Sequence, residues 1–141
     1  MNQPQSSQWT LFISHSSIDT WVASQIAREA EACGATPFLD ETNITVGEDF
    51  EDHILAALER AKELIVLLTP WSLSRPYVWA EIGAAWGRRI PIIGVLHGLT
   101  PTEIQSNPAL PLIIKRRDLI DLNEIPLYFS QLRQRIQSLE P

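Results

Sequence analysis

Two short runs, Leu64 to Thr69 (LIVLLT) and Pro91 to Leu96 (PIIGVL), are almost uninterrupted in apolar side chains. A strand with one wetted face alternates apolar and polar residues. A strand that is apolar at nearly every position must be covered on both faces, as happens when helices flank a parallel sheet. Three more runs, Thr10 to Ser14, Thr36 to Asp40 and Asp118 to Leu122, read as strands, and the amphipathic stretches between them are too long for hairpins. Alternating β and α units with right-handed crossovers predict a flavodoxin-like three-layer α/β sandwich, with a parallel five-stranded sheet of order 2-1-3-4-5 and helices on both faces. The switch point of that order lies between strands one and three. A ligand is therefore expected beyond the carboxyl ends of the strands, among the residues that follow Ser14, Asp40 and Thr69.

The helices are predicted from period and caps. In the first, Ile18, Trp21, Val22, Ile26, Ala30 and Cys33 form the apolar stripe, with Asp19, Ser24, Arg28 and Glu31 opposite. Trp21 is expected in the core and Trp9 at a packed edge. Ser16 and Asp19 have capping-box spacing, and Gly34 suits the stop. The second helix, about Glu48 to Lys62, carries Phe50, Ile54, Leu58 and Ala61 on one face and acids in its first turn. A third spans Tyr77 to Arg88, closed by Gly87 and followed by Arg89. A weak segment covers Thr102 to Ser106, and Pro126 opens a last helix with Phe129, Leu132, Ile136 and Leu139 as its stripe.

Length and charge bound the rest. A chain of 141 residues suits one domain. Residues 1–8 lack both a basic and an apolar segment, so they read as a disordered lead-in and not a signal or transit peptide, with the domain over 9–141. The apolar runs fall far short of the ~20 residues of a membrane span, and a single cysteine, Cys33, fits a reducing cytoplasm. With 17 acidic against 11 basic residues, no nucleic-acid partner is expected.

Missing parts exclude several chemistries. No glycine-rich phosphate loop follows the first strand. The histidines, His15, His53 and His97, lie on separate segments without metal-ligand spacing, so no metal site is expected. The strand ends lack the acids and lysine of a phosphate-accepting receiver. What stands out is Tyr77 to Gly87 (YVWAEIGAAWG), where one carboxylate, Glu81, interrupts ten uncharged and mostly apolar residues. An isolated helix acid usually finds water or a cation such as Arg88. At the predicted crevice, between the aromatics Trp71, Tyr77 and Trp79 and the hydroxyls of Ser72 and Ser74, it would instead have a raised pKa and face a cationic substrate or a developing cation. The aromatics suit a core equally well. A second candidate is Ser14-His15-Ser16-Ser17 with Asp19, which fits either an anion site or a helix cap. A third is the loop Asp40 to Gly47, with Ile44 and Val46, as a lid, a contact surface or a plain connection.

Leu11 to Asp19 (LFISHSSID) resembles the first box of Toll/interleukin-1 receptor (TIR) domains, and Gly34 to Phe50 is similar to the second box and its BB loop. Thr69 to Gly87 looks like the serine loop and glutamate helix of bacterial members. Tyr77, four residues before Glu81, stands where many members carry tryptophan. The resemblance spans residues 9 to 140. It implies an NAD+ glycohydrolase that splits the nicotinamide–ribose bond with Glu81 as catalytic residue, giving nicotinamide plus ADP-ribose or a cyclic isomer, in immune or antiphage signalling. NAD+ is then substrate, with no cofactor. Phe12, Ser14, His15, Ser16, Asp40, Trp71, Ser72, Ser74 and Tyr77 would meet substrate, while Ile44, Val46 and Gly47 would serve assembly through the BB loop. The implied partners are other copies of the chain and a separate sensor or effector. Two other functions fit the same residues: a non-catalytic TIR interaction module, and an enzyme of the nucleoside deoxyribosyltransferase type.

Overall fold

The structure is a computed structural model whose described residues are 9–39, 56–110, 114 and 119–139. Five strands, β1 (Trp9–Ser14), β2 (Ala35–Leu39), β3 (Glu63–Leu68), β4 (Ile92–Leu96) and β5 (Leu119–Asp121), form one parallel sheet of order β2-β1-β3-β4-β5. The described helices include α1 (Thr20–Ala32), α2 (residues 56–60), α3 (Pro76–Gly87), α4 (Pro101–Ser106) and α5 (Ile125–Gln137). This is the expected fold and strand order. The predicted stretch of the second helix before residue 56 lies outside the described residues, as do the lead-in 1–8 and Asp40, Ile44, Val46 and Gly47. None of the described helices is long and apolar enough to cross a membrane.

The period of two along each strand sorts the core into halves. On one face Leu11, Ile13, Ile65, Leu67 and Val95 pack with Ala23, Ile26 and Ala30 of α1 and Phe129, Leu132 and Ile136 of α5. On the other, Phe12, Leu64, Val66, Leu68 and Leu96 pack with Leu58 of α2 and Val78, Ile82 and Ala85 of α3. Every residue of β3 is buried, as its unbroken apolar run requires. At ~1.5–3 kcal/mol for each large apolar side chain removed from water, these two layers dominate the favourable energy of folding.

Parity also directs the polar residues. Ser14 shares the α3 side of β1 with Phe12, whereas Glu63 and Thr69 share the opposite side of β3 with Ile65 and Leu67. Glu63 accordingly meets α5. It accepts from Tyr128 Oη at 2.7 Å, and from Arg135 Nε at 2.8 Å and Nη2 at 3.0 Å. Burial, and then the adjacent Glu63 carboxylate, push the Tyr128 phenol well above its ordinary range.

Several expectations are corrected. Trp21 is 72% exposed and Ile18 is exposed as well. The helix begins at Thr20, and its buried stripe is Ala23, Ile26, Ala27 and Ala30. Trp21 lies two residues, about 200° of helical turn, from Ala23 and so points away from the sheet. Leu139 falls beyond α5 and is exposed. Gly34 stops α1 at φ +102°, as expected. At the end of α3, however, Gly87 is the last helical residue and Arg89 takes the left-handed seat at φ 59°. Arg89 N–H donates to Trp86 O at 3.1 Å and Ile90 N–H to Ala85 O at 2.9 Å, which together make a Schellman closure.

Candidate active site

The carboxyl ends of β1 and β3 carry the polar residues of the predicted crevice. After β1 the chain turns through His15 and Ser16 into a 3-10 turn, Ser17–Asp19, that feeds α1. After β3 it turns at Thr69 and Pro70 into a second 3-10 turn, Ser72–Ser74, that feeds α3. Arg75 before Pro76 is extended, and Pro76 occupies the first turn of α3, so the helix starts sharply at the sheet's rim.

Glu81 is fully buried, not at the margin of the helix's apolar face. The buried residues of α3 are Val78, Glu81, Ile82 and Ala85, with spacing i, i+3, i+4, i+7, so the carboxylate sits inside the apolar stripe. Its Oε1 accepts a hydrogen bond from Ser14 Oγ. The side chains of Ser14, His15, Ser16, Thr69 and Ser72 are likewise closed to solvent. Tyr77 Oη donates to His15 O at 3.0 Å, tying the first turn of α3 to the segment after β1. The arrangement offers a carboxylate, out of water, already engaged with a hydroxyl.

A second polar cluster lies beside it. Asp19 Oδ2 accepts from Ser16 Oγ at 2.7 Å and from Thr69 Oγ1 at 2.7 Å. Thr69 N–H donates to Ser72 Oγ at 2.9 Å, and Ser72 N–H to Thr69 Oγ1 at 3.0 Å. The capping box expected at Ser16 and Asp19 is thus not formed: the Ser16 hydroxyl donates to the carboxylate and no side chain caps the turn. The sequence sets Asp19 opposite the apolar stripe of the first helix and also in the candidate group with Ser14 to Ser17, but does not single out the Thr69 side chain. The available signal was Thr69's parity with Ile65 and Leu67, which aims it toward the start of α1.

The aromatic residues divide. Trp71 lies on the loop after β3 and is 47% exposed, open to a ligand. Trp79 does not wall the carboxylate. It lies about 200° around α3 from Glu81, packs at the margin of the core, and donates from Nε1 to Leu73 O at 2.9 Å. Trp86, grouped with Glu81 in sequence, is about 140° away on the helix and exposed. Phe12 is a core residue with its ring 5.2 Å from that of Phe38. Ser74 donates to Trp71 O at 3.0 Å and is exposed.

The family model described as TIR domain matches residues 11–136. No curated protein sequence matches the chain. Among solved structures, it is similar to the TIR domain of the Toll-related receptor TRR-2 of Hydra magnipapillata, at 19% identity and a TM-score of 0.69, over 90% of this chain and 97% of that one. It is similar to the TIR domains of the activated Roq1 resistosome directly recognizing the pathogen effector XopQ, at 12% identity and a TM-score of 0.65, over 92% and 98%. A metazoan TIR-STING receptor from C. gigas, in complex with 2',3'-cGAMP, matches at 23% identity and a TM-score of 0.67, over 89% of this chain and 38% of that one. At such identities the structures share a fold.

Proposed function

The chain belongs to the TIR domain family, and from that premise we propose that it cleaves the nicotinamide–ribose bond of NAD+ with Glu81 as the catalytic residue. The observation that carries the reading is the buried Glu81 carboxylate at the switch point of the sheet, hydrogen-bonded to the Ser14 hydroxyl of another segment. A carboxylate that binds one hydroxyl there is chemically suited to the hydroxyls of a ribose.

The step is a heterolysis. The C1′–N bond breaks, its electron pair leaves with nicotinamide, and the pyridinium becomes a neutral base. Positive charge develops on the ribose, shared between C1′ and the ring oxygen. Glu81, a buried carboxylate, stabilises that charge more than the ground state, which is the differential that lowers a barrier. Water then adds to C1′ and gives up a proton, leaving ADP-ribose. Attack by the adenine of the same molecule gives a cyclic isomer instead. Ser14, His15, Ser16, Ser72 and Tyr77 frame the site, and Trp71 offers an exposed aromatic face on its rim. Immune or antiphage signalling is the setting that fits such a product.

The test is to incubate purified protein with NAD+ at several protein concentrations and separate the products by chromatography. Nicotinamide release by the wild type, and none by a folded Glu81→Ala protein, is the expected result. Release that persists without Glu81 overturns the mechanism. If the wild type releases none, the catalytic reading fails in favour of a non-catalytic module acting by assembly. Cleavage of nucleosides in place of NAD+ would point to deoxyribosyl transfer.

Self-association belongs to the same proposal. Turnover per molecule is expected to rise with protein concentration, and a flat dependence through the range of self-association would remove this part.

A further inference from the structure

Asp19 is 4% exposed and stands at the N-cap of α1, yet it makes no side-chain cap. An aspartate in that position ordinarily accepts from the backbone N–H groups of the first turn. Here Oδ2 accepts two hydroxyls instead, Ser16 Oγ and Thr69 Oγ1, each at 2.7 Å. The donors come from different segments: Ser16 follows Ser14 and His15, and Thr69 opens the loop that leads to Ser72, Tyr77 and Glu81.

The hydroxyl directions follow from the partners. Thr69 Oγ1 donates to Asp19 and accepts from Ser72 N–H, while Ser72 Oγ accepts from Thr69 N–H. A directed chain therefore runs from Ser72 N–H through Thr69 Oγ1 to the Asp19 carboxylate, and Ser16 joins it there. Charge-assisted hydroxyl bonds of this kind are the strong ones, and out of water they polarise one another.

We propose that Asp19 is a positioning residue for the reaction at Glu81. Its carboxylate straps the segment after β1 to the segment after β3, and so fixes the approach of the Ser14 hydroxyl to the Glu81 carboxylate. The catalytic part of this inference rests on the NAD+ reading above. The bond from Tyr77 Oη to His15 O is a second strap between the same two segments. Cutting the Asp19 strap therefore loosens the site without dismantling it.

The test compares Asp19→Ala, Asp19→Asn, Thr69→Val and the Asp19→Ala/Thr69→Val double variant, with kcat and KM for NAD+ normalised to folded protein. Asp19→Ala is expected to lower kcat about tenfold with KM changed less than about threefold, the signature of lost alignment in the transition state. Asp19→Asn keeps an acceptor oxygen and is expected to restore most of that loss. Thr69→Val should act like Asp19→Ala, and the double variant should be no worse than either single change. Unchanged kcat per folded molecule in Asp19→Ala, or strictly additive losses, overturns the proposal.

Amide hydrogen exchange without NAD+ supplies a second arm that does not depend on activity. In Asp19→Ala the amides of Thr69 and Ser72 are expected to lose protection while those of Ile65 to Leu67 keep theirs. Unchanged protection at both amides overturns the strap. If the wild type proves inactive on NAD+, the catalytic reading falls and this arm alone decides whether Asp19 holds the two segments together.

Discussion

The Ser14 hydroxyl at the end of β1 donates to Glu81 Oε1 on α3, across 67 residues of sequence. The bond ties the end of β1 to α3 at the switch point, and it leaves the carboxylate aimed by a neutral donor. Glu63, a buried glutamate at the start of β3, is held very differently, between a guanidinium and a phenol. One arrangement suits charge that develops during a reaction. The other is a finished ion pair.

Removing the Ser14 hydroxyl leaves Glu81 short of a buried hydrogen bond, which costs about 1–3 kcal/mol in comparable cases. Ser14→Ala is expected to lower the melting temperature and to reduce NAD+ cleavage about tenfold through kcat, with Ser14→Thr recovering part of it. Thermal melts and steady-state kinetics on the same preparations check both.

The two buried glutamates should separate stability from activity. Glu63→Gln leaves Arg135 without its carboxylate partner and should destabilise the fold by roughly 2 kcal/mol or more, with turnover per folded molecule unchanged. Glu81→Gln should abolish cleavage while the melting temperature holds or rises, since removing a buried charge is often neutral or favourable to stability. Urea denaturation beside NAD+ assays reads both quantities, and a reversal of the pattern would exchange the two roles.

Tyr128 predicts an alkaline dependence. Burial and the Glu63 carboxylate raise its pKa in the folded state above that of the unfolded chain. Its contribution is therefore complete below the unfolded value, about pH 10, and is lost as pH rises through the higher folded value. The melting temperature of the wild type should fall more steeply than that of Tyr128→Phe between about pH 9.5 and 11.5. Parallel curves would mean that the phenol is not protected.

Arg89 sits at φ 59° in the seat that glycine favours at a helix end. Arg89→Gly should relieve that strain, worth about 1 kcal/mol against the greater freedom of glycine in the unfolded chain. A small rise in melting temperature is expected, and a clear fall would show that the arginine side chain contributes more than the strain.

Much of this molecule is written in its periodicities. The unbroken runs of β3 and β4 call for a doubly covered parallel sheet, the crossover rule orders it, and the switch point locates the crevice before any side chain is seen. Glu81 was legible too, as a lone carboxylate bordering the face of Tyr77, Val78, Ala84 and Ala85, although its complete burial within the stripe Val78, Ile82 and Ala85 exceeds what those neighbours suggested. Trp21 shows the weakness of the same reasoning. Once the helix begins at Thr20, a stripe of small residues packs on the sheet and the tryptophan faces water, because the starting residue sets the phase of the whole face. The Ser16–Asp19 spacing misled for a related reason. It describes a local cap equally well, and only the arrival of Thr69, 50 residues away, turns the carboxylate toward another loop. Period determines which side of an element a residue occupies. Hydrogen-bond partners between distant segments depend on how those elements dock, so the sheet order and the catalytic candidate belong to the sequence, while the Ser14–Glu81 and Asp19–Thr69 pairings belong to the tertiary structure.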